Sequence, residues 1–393
     1  YAPYFADVIC SSENINGIGL WSLGISITAI FVAFISPIIG AISDTGGFRK
    51  FFFVLSTWVC IIATGCLFFF KEGDVYSALV YVIIANIGFE LGSVICNSYL
   101  PEIADKKNIG KISGFAWGLG FFGGLISLVI LFSLMILLPM IFVDVINLEL
   151  KIVRFSTIMV AIWLAVFSIP VFFLVREKKS EKLTKKHINQ SFYSILKTFN
   201  DIKKYKKIVR FLVARLFYND ALITIFALGG AYAIEMLNFT LTETLVLGIV
   251  LNVFACVASF FFGKIEDSYG AKWCIEISII TLFFAVLLAF IAPYFNNILI
   301  GKSIFWFSGI LIGIMTGPSQ SCSRSLMARL TPEEKTNEFF GFYAFTGKAT
   351  AFLGPFLFAL LSVYSPQIGL LVVVLFFLIG YVIFKPLNIN PHE

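Results

Sequence analysis

REKKSEKLTKKHINQSFYSILKTFNDIKKYKKIVR, residues 176–210, carries 12 Lys or Arg against three acids. The sequence on either side of it is apolar, and the two sides resemble each other. The stretch therefore reads as the hinge of a duplicated membrane protein. The chain has 393 residues, 59% hydrophobic and 13% charged, with a mean hydropathy of +0.94. A soluble domain carries about 25% charge, so too few charged residues remain here to coat a soluble core. Apolar runs of about 20 residues are long enough to cross about 30 Å of hydrocarbon. The polar/apolar alternation in segments of about ten residues that a β-barrel needs is missing. The fold class is that of an all-α polytopic membrane protein.

Outward from the hinge, apolar runs at 17–42, 52–70, 75–100, 111–138 and 154–175 predict five complete spans before it. Runs at 209–233, 241–263, 273–293, 303–323, 339–361 and 370–384 predict six after it. The predicted division is 1–175 for a first bundle, 176–208 for a basic cytoplasmic linker and 209–393 for a second bundle. Residues 1–10, YAPYFADVIC, are apolar but too short to span. They are expected to be the outer end of a first span, most of which is missing ahead of Tyr1. Positive charge in loops marks the cytoplasmic side. It places Arg49, Lys50, Lys106, Lys107, Lys264, Lys272, Arg324, Arg329, Lys335 and the linker inside, and leaves Lys71, Lys151, Arg154 and Lys302 outside. The net charge of +6 is thus a topology signal, and no nucleic-acid partner is expected.

Seven cysteines without CxxC spacing and two histidines, both in polar segments, give no metal centre, and the cysteines read as small buried residues. No GxSxG, GxxxxGK[ST] or HExxH motif occurs, so neither an enzyme nor a cofactor is predicted. The two sides of the hinge share a motif. Gly40-AIS-Asp44-TG-Gly47-F-Arg49 matches Gly263-KIE-Asp267-SY-Gly270-A-Lys272, both G-x3-D-x2-G-x-[RK], 223 residues apart. Gly110-KIS-Gly114-FAWG lines up with Glu338-FF-Gly341-FYAF. Internal repeats of this kind suggest two bundles that rock about a central site. Asp44 and Asp267 end one helix, Gly47 and Gly270 permit a tight turn, and Arg49 and Lys272 begin the next helix. A carboxylate so placed can accept N–H bonds from a neighbouring helix N-terminus. An ordinary charged helix turn is the plainer reading.

These motifs, with Asn97-SYLPEIA-Asp105, Gly114-FAWGLGFFGG, Phe217-YNDA, Ser323-RSLMARLTP and Glu338-FFGFYAFTGKATAFLGP, resemble the major facilitator superfamily. Within it the chain is similar to the branch that holds bacterial uncharacterised facilitator transporters and the fungal autophagy-related vacuolar amino-acid effluxers. The resemblance covers nearly the whole chain. It implies a fold of two pseudo-symmetric six-helix bundles, and a latch at Asp44 and Asp267 that stabilises the outward-facing state. Thr45 stands where the family often has a basic residue, which implies a thinner salt-bridge network in the first half. The family's motif in its first span has no counterpart here.

Interior charges are the remaining candidates, because an ionisable group deep in a span is costly and usually faces a cavity or a partner. Asp220, with Tyr218 and Asn219 beside it, suits substrate or proton coupling; a structural pair with Arg215 or Lys348 is the alternative. Desolvation and a neighbouring cation act in opposite senses on its ionisation. Lys348 could meet a carboxylate substrate. Glu90, with Asn86 and Asn97, gives its helix one polar stripe that is either site or helix–helix glue. The function read from this is secondary active transport of a small polar solute, with amino-acid export implied by the resemblance and proton coupling as the drive. A non-transporting membrane scaffold and a lipid- or drug-moving protein are the other classes considered. Anionic lipid headgroups are expected at the basic linker, in which a helix around 192–199 would lie along the surface. The expected form is a monomer in a bacterial inner membrane, or in a vacuolar or lysosomal membrane if eukaryotic.

Overall fold

The computed structural model describes residues 1, 4–11, 16–141, 148–175 and 184–389. Long helices dominate. Before the linker they are α1 (Gly17–Gly46), α2 (Arg49–Cys66), α3 (Val75–Ser98), α4 (Ile109–Ile141) and α5 (Leu148–Leu174). The linker contributes α6 (Lys185–Asn200). After it come α7 (Lys206–Leu237), α8 (Leu241–Tyr269), α9 (Ala271–Ile291), α10 (Ile298–Leu330), α11 (Thr336–Lys348), α12 (Leu353–Ser362) and α13 (Pro366–Phe384). Among the described residues, eleven helical stretches are long and apolar enough to cross a membrane. The expected run at 339–361 differs from the rest in being broken. Residues 349–352 interrupt it between α11 and α12, ahead of Pro355. The linker helix begins well before 192, whereas residues 176–183 of the hinge lie outside the described residues.

The chain forms two compact units. One holds Tyr1–Ser98, Ile126–Lys197 and Glu334–Phe345; the other holds Tyr99–Leu125, Thr198–Glu333 and Thr346–Glu393. Each takes one piece from across the linker, and each of those pieces includes a helix N-terminus.

In the first unit, residues near the N-terminus pack inward. Tyr4, Phe5, Ile9 and Cys10 share an apolar cluster with Val75, Ala78 and Leu79 of α3. The Tyr1 hydroxyl donates to the Leu67 carbonyl at 2.9 Å. Arg154 of α5 donates twice to the Phe68 carbonyl, at 2.9 and 2.6 Å. That carbonyl follows the end of α2, where intrahelical donors run out. Arg154→Ala is expected to cost about 2 kcal/mol, the value of a charged hydrogen bond. Thermal unfolding in detergent checks this, and an unchanged midpoint would contradict it.

In the second unit, Thr240 and Glu243 cap α8 reciprocally. Thr240 Oγ1 accepts from the Glu243 N–H, and Glu243 accepts from the Thr240 N–H. Lys302 of α10 pairs with the same Glu243 at 2.9 Å. The core side of α9 carries Cys274, Ile275, Ile279, Leu282 and Ala285, all fully buried. Five of the seven cysteines are buried as expected; Cys66 is half-buried and Cys96 is exposed.

Candidate functional site

The repeated motif builds the same geometry twice. α1 ends at Gly47 with φ 68°, and α8 ends at Gly270 with φ 89°. Both values lie where an L side chain is strained, so the motif's second glycine sets each turn. The aspartate one turn earlier then faces the start of another helix. Asp44 Oδ1 accepts from the Asn337 N–H at 3.1 Å and from Asn337 Nδ2 at 2.6 Å, and its Oδ2 accepts from the Glu338 N–H at 2.8 Å. Asp267 Oδ1 accepts from the Gly110 N–H at 2.8 Å, and its Oδ2 from the Lys111 N–H at 2.9 Å. In both cases the donors are the second and third residues of the receiving helix, α11 or α4. A carboxylate there satisfies two orphan N–H groups and sits at the positive end of the helix dipole.

The motif's first glycine lets the backbones meet. A Cβ on Gly40 would clash with the Asn337 carbonyl, and one on Gly263 would lie 2.9 Å from the Gly110 carbonyl. Four residues into each receiving helix stands a further small residue. A Cβ on Gly341 would lie 2.6 Å from Pro37 Cα, and one on Gly114 would lie 2.7 Å from Gly263 Cα. Gly110 corresponds to Asn337, since Gly114 and Gly341 each follow by four.

The two aspartate sites, called the first and second latch below, differ in their surroundings. Asn337 Oδ1 accepts from the Ser98 hydroxyl at 2.5 Å, and Arg49 donates to the Ser98 carbonyl at 3.5 Å. The second latch is ionic: Arg329 lies 3.4 Å from Asp267 and 3.7 Å from Glu266, and donates to the Lys106 carbonyl at 2.7 Å. Ser325 donates to Glu266, which is fully buried. Arg324 donates to the Ser113 hydroxyl and carbonyl, tying α10 to α4. Lys272 pairs within its own helix, with Glu276 at 3.6 Å.

The interior candidates divide between the units. Asp220, Asn219, Tyr218, Arg215 and Lys348 share the second; Glu90 lies half-buried on α3 in the first. Asn86 donates to its own helix, at Val82. Tyr218 and Asn219 bind α7 to α10: the Tyr218 hydroxyl is 2.6 Å from Ser323 Oγ, and Asn219 Oδ1 accepts from Gln320 at 3.2 Å. Asp220 is fully buried. Among the described residues, neither of its carboxylate oxygens has a partner that meets hydrogen-bond geometry. The Arg215 guanidinium packs on Gly347, 3.0 Å from where a Cβ would stand. Arg215 on Gly347 and the Asp220 carbonyl beside Gly354 place these two residues of α7 on either side of the interruption at 349–352. Lys348 ends α11 at that interruption and is half-exposed.

Sequence reading missed Asn337, Ser98 and Ser113. Asn337 had a local signal, since a Thr-Asn-Glu run ahead of apolar residues is a helix-start pattern. The two serines had none, because their partners are distant in sequence. Among the described residues, no group of three His, Cys, Asp or Glu could hold a metal.

Comparison with known proteins agrees with this architecture. Residues 14–391 match the family model described as "Vacuole effluxer Atg22 like". The chain is 26% identical over 91% of its length, and 82% of the relative's, to the "Uncharacterized MFS-type transporter YxiO" of Bacillus subtilis. It is 22% identical over 94% of its length, and 79% of the relative's, to "Autophagy-related protein 22" of Kluyveromyces lactis. Among solved structures, the proton:xylose symporter XylE superposes with a TM-score of 0.72 at 13% identity, covering 98% of this chain and 90% of that one. That likeness shows the major facilitator fold. With eleven membrane-spanning stretches on that fold and a family match over nearly its full length, the chain is an integral membrane transporter and belongs to the Atg22-like family of the major facilitator superfamily.

Proposed function

We propose that the protein exports a small polar solute, an amino acid, by alternating access, with proton movement through Asp220 as the drive. The observation that carries this reading is Asp220 itself. A carboxylate fully buried in a membrane span, with both oxygens lacking a well-placed donor among the described residues, is costly to keep, and a group that takes up and releases a proton is the kind of use that offsets the cost. Arg215, and Lys348 at the adjoining helix break, supply fixed cations for the carboxylate of a zwitterion. The family description as a vacuole effluxer supports export. In this cycle the Asp44 and Asp267 latches hold the cytoplasmic side shut, and their release opens it. The protein works as a monomer, in a bacterial inner membrane or a vacuolar one, with anionic lipid headgroups at its basic linker.

The test is flux of a panel of radiolabelled amino acids in proteoliposomes carrying an imposed pH gradient. Flux is expected to fall to the level of protein-free vesicles when an ionophore collapses the gradient. Unchanged flux would reject proton coupling, and absence of flux for every amino acid would reject the substrate class.

A further inference from the structure

The linker helix α6 is turned inside out for a soluble helix. It buries polar residues, His187 and Ser191, and exposes Phe192, Tyr193 and Leu196, at 47%, 70% and 61%. An amphipathic helix in water does the reverse. Its inner face is tied to the first latch. Ser191 Oγ is 2.9 Å from Oγ1 of Thr45, the neighbour of Asp44. Ser194 donates at 2.7 Å to Glu338, whose backbone N–H holds Asp44. The His187 ring stands edge-on to Phe48. Its outer face borders an open groove of about 690 Å³ lined by Asn189, Gln190, Tyr193, Ser194, Lys197 and Lys335.

We infer that this outer face is a binding site for anionic phospholipid of the cytoplasmic leaflet, and that the bound lipid steadies the first latch through α6. Three observations select this occupant. The ties to Thr45, in the last turn of a membrane span, put α6 at the edge of the bilayer. The groove offers two amines and a phenol to a phosphate, within a linker stretch of 12 basic residues against three acidic ones. The exposed Phe192 and Leu196 suit the acyl boundary just beneath a headgroup. Lys335 also reaches Glu338, at 3.6 Å, so groove and latch share a carboxylate. The second latch has an arginine in place of such a helix. The inference deepens the lipid contact proposed above, but it does not depend on the transported solute.

The experiment is amide hydrogen exchange on the full chain in nanodiscs of phosphatidylcholine, with and without phosphatidylglycerol. Anionic lipid is expected to slow exchange in α6 and at Asn337 and Glu338, by about fivefold for each engaged lysine, while Gly110 and Lys111 at the second latch stay unchanged. Lys197→Glu should remove most of the α6 response. Equal exchange in the two discs overturns the inference, as does a full response in Lys197→Glu. Inorganic phosphate reproducing the slowing in phosphatidylcholine discs would show a site for free anions and overturn the lipid assignment. Because exchange is read without transport, failure here leaves the transport proposal standing, and failure of transport leaves this one standing.

Discussion

Asp267→Asn and Asp44→Asn should each release a latch, and the backbone amides that the carboxylate now holds report it. In Asp267→Asn the amides of Gly110 and Lys111 are expected to exchange about 100-fold faster. The side chain keeps its shape but loses its charge, and it presents an NH2 group to one of two N–H donors. One charge-assisted bond is lost, the other is weakened, and the interaction with the helix dipole goes with them. Together these amount to about 3 kcal/mol, or about a factor of 100. In Asp44→Asn the same change should appear at Asn337 and Glu338. Its Oδ1 can still serve both Asn337 donors, so the loss concentrates at Glu338. Exchange that is unchanged in both variants would mean that these bonds contribute nothing to holding the helices together.

Asp220→Asn is expected to abolish gradient-driven flux and to leave the unfolding midpoint nearly where it was. The amide matches the carboxylic acid in size and cannot exchange a proton. The competing reading is a structural ion pair with Arg215. Removing one partner of a buried pair costs about 3–5 kcal/mol, so that reading predicts a large loss of stability. The geometry favours the first outcome, since among the described residues neither Asp220 oxygen has a partner that meets hydrogen-bond geometry. A variant that unfolds easily and yet transports along the gradient would overturn the coupling role. Lys348→Ala provides the complementary measurement. It should weaken solute binding with little effect on the response to the gradient, because Lys348 lies at the helix break and is half-exposed.

Much of the architecture was legible because membrane helices are written in consecutive residues. A run of about 20 apolar side chains announces its own span, and all eleven expected spans have a helical counterpart. The hydrogen bonding of Asp44 and Asp267 to helix N-termini was legible for a related reason. G-x3-D-x2-G-x-[RK] carries its own turn, at Gly47 and Gly270, and a carboxylate at such a turn has few uses. The break at 349–352 was not legible, because its residues, Ala349 to Phe352, include neither Gly nor Pro. Just beyond it, Gly354 is so close to Thr224 that a Cβ would strike its hydroxyl.

What the sequence by itself determined is the fold class, the spans, the repeated motif and the short set of interior charges, because each depends on composition or on residues near one another in the chain. Only the tertiary structure decided the partners: that Asp44 holds α11, that Asp267 holds α4, and that Tyr218 and Asn219 bind α10. It also turned the polar face of α6 inward onto the first latch. These are hydrogen bonds between groups 100 to 300 residues apart. Such bonds are short, directional and fixed by where helices pack, and packing leaves no mark on the local pattern of residues that makes each helix.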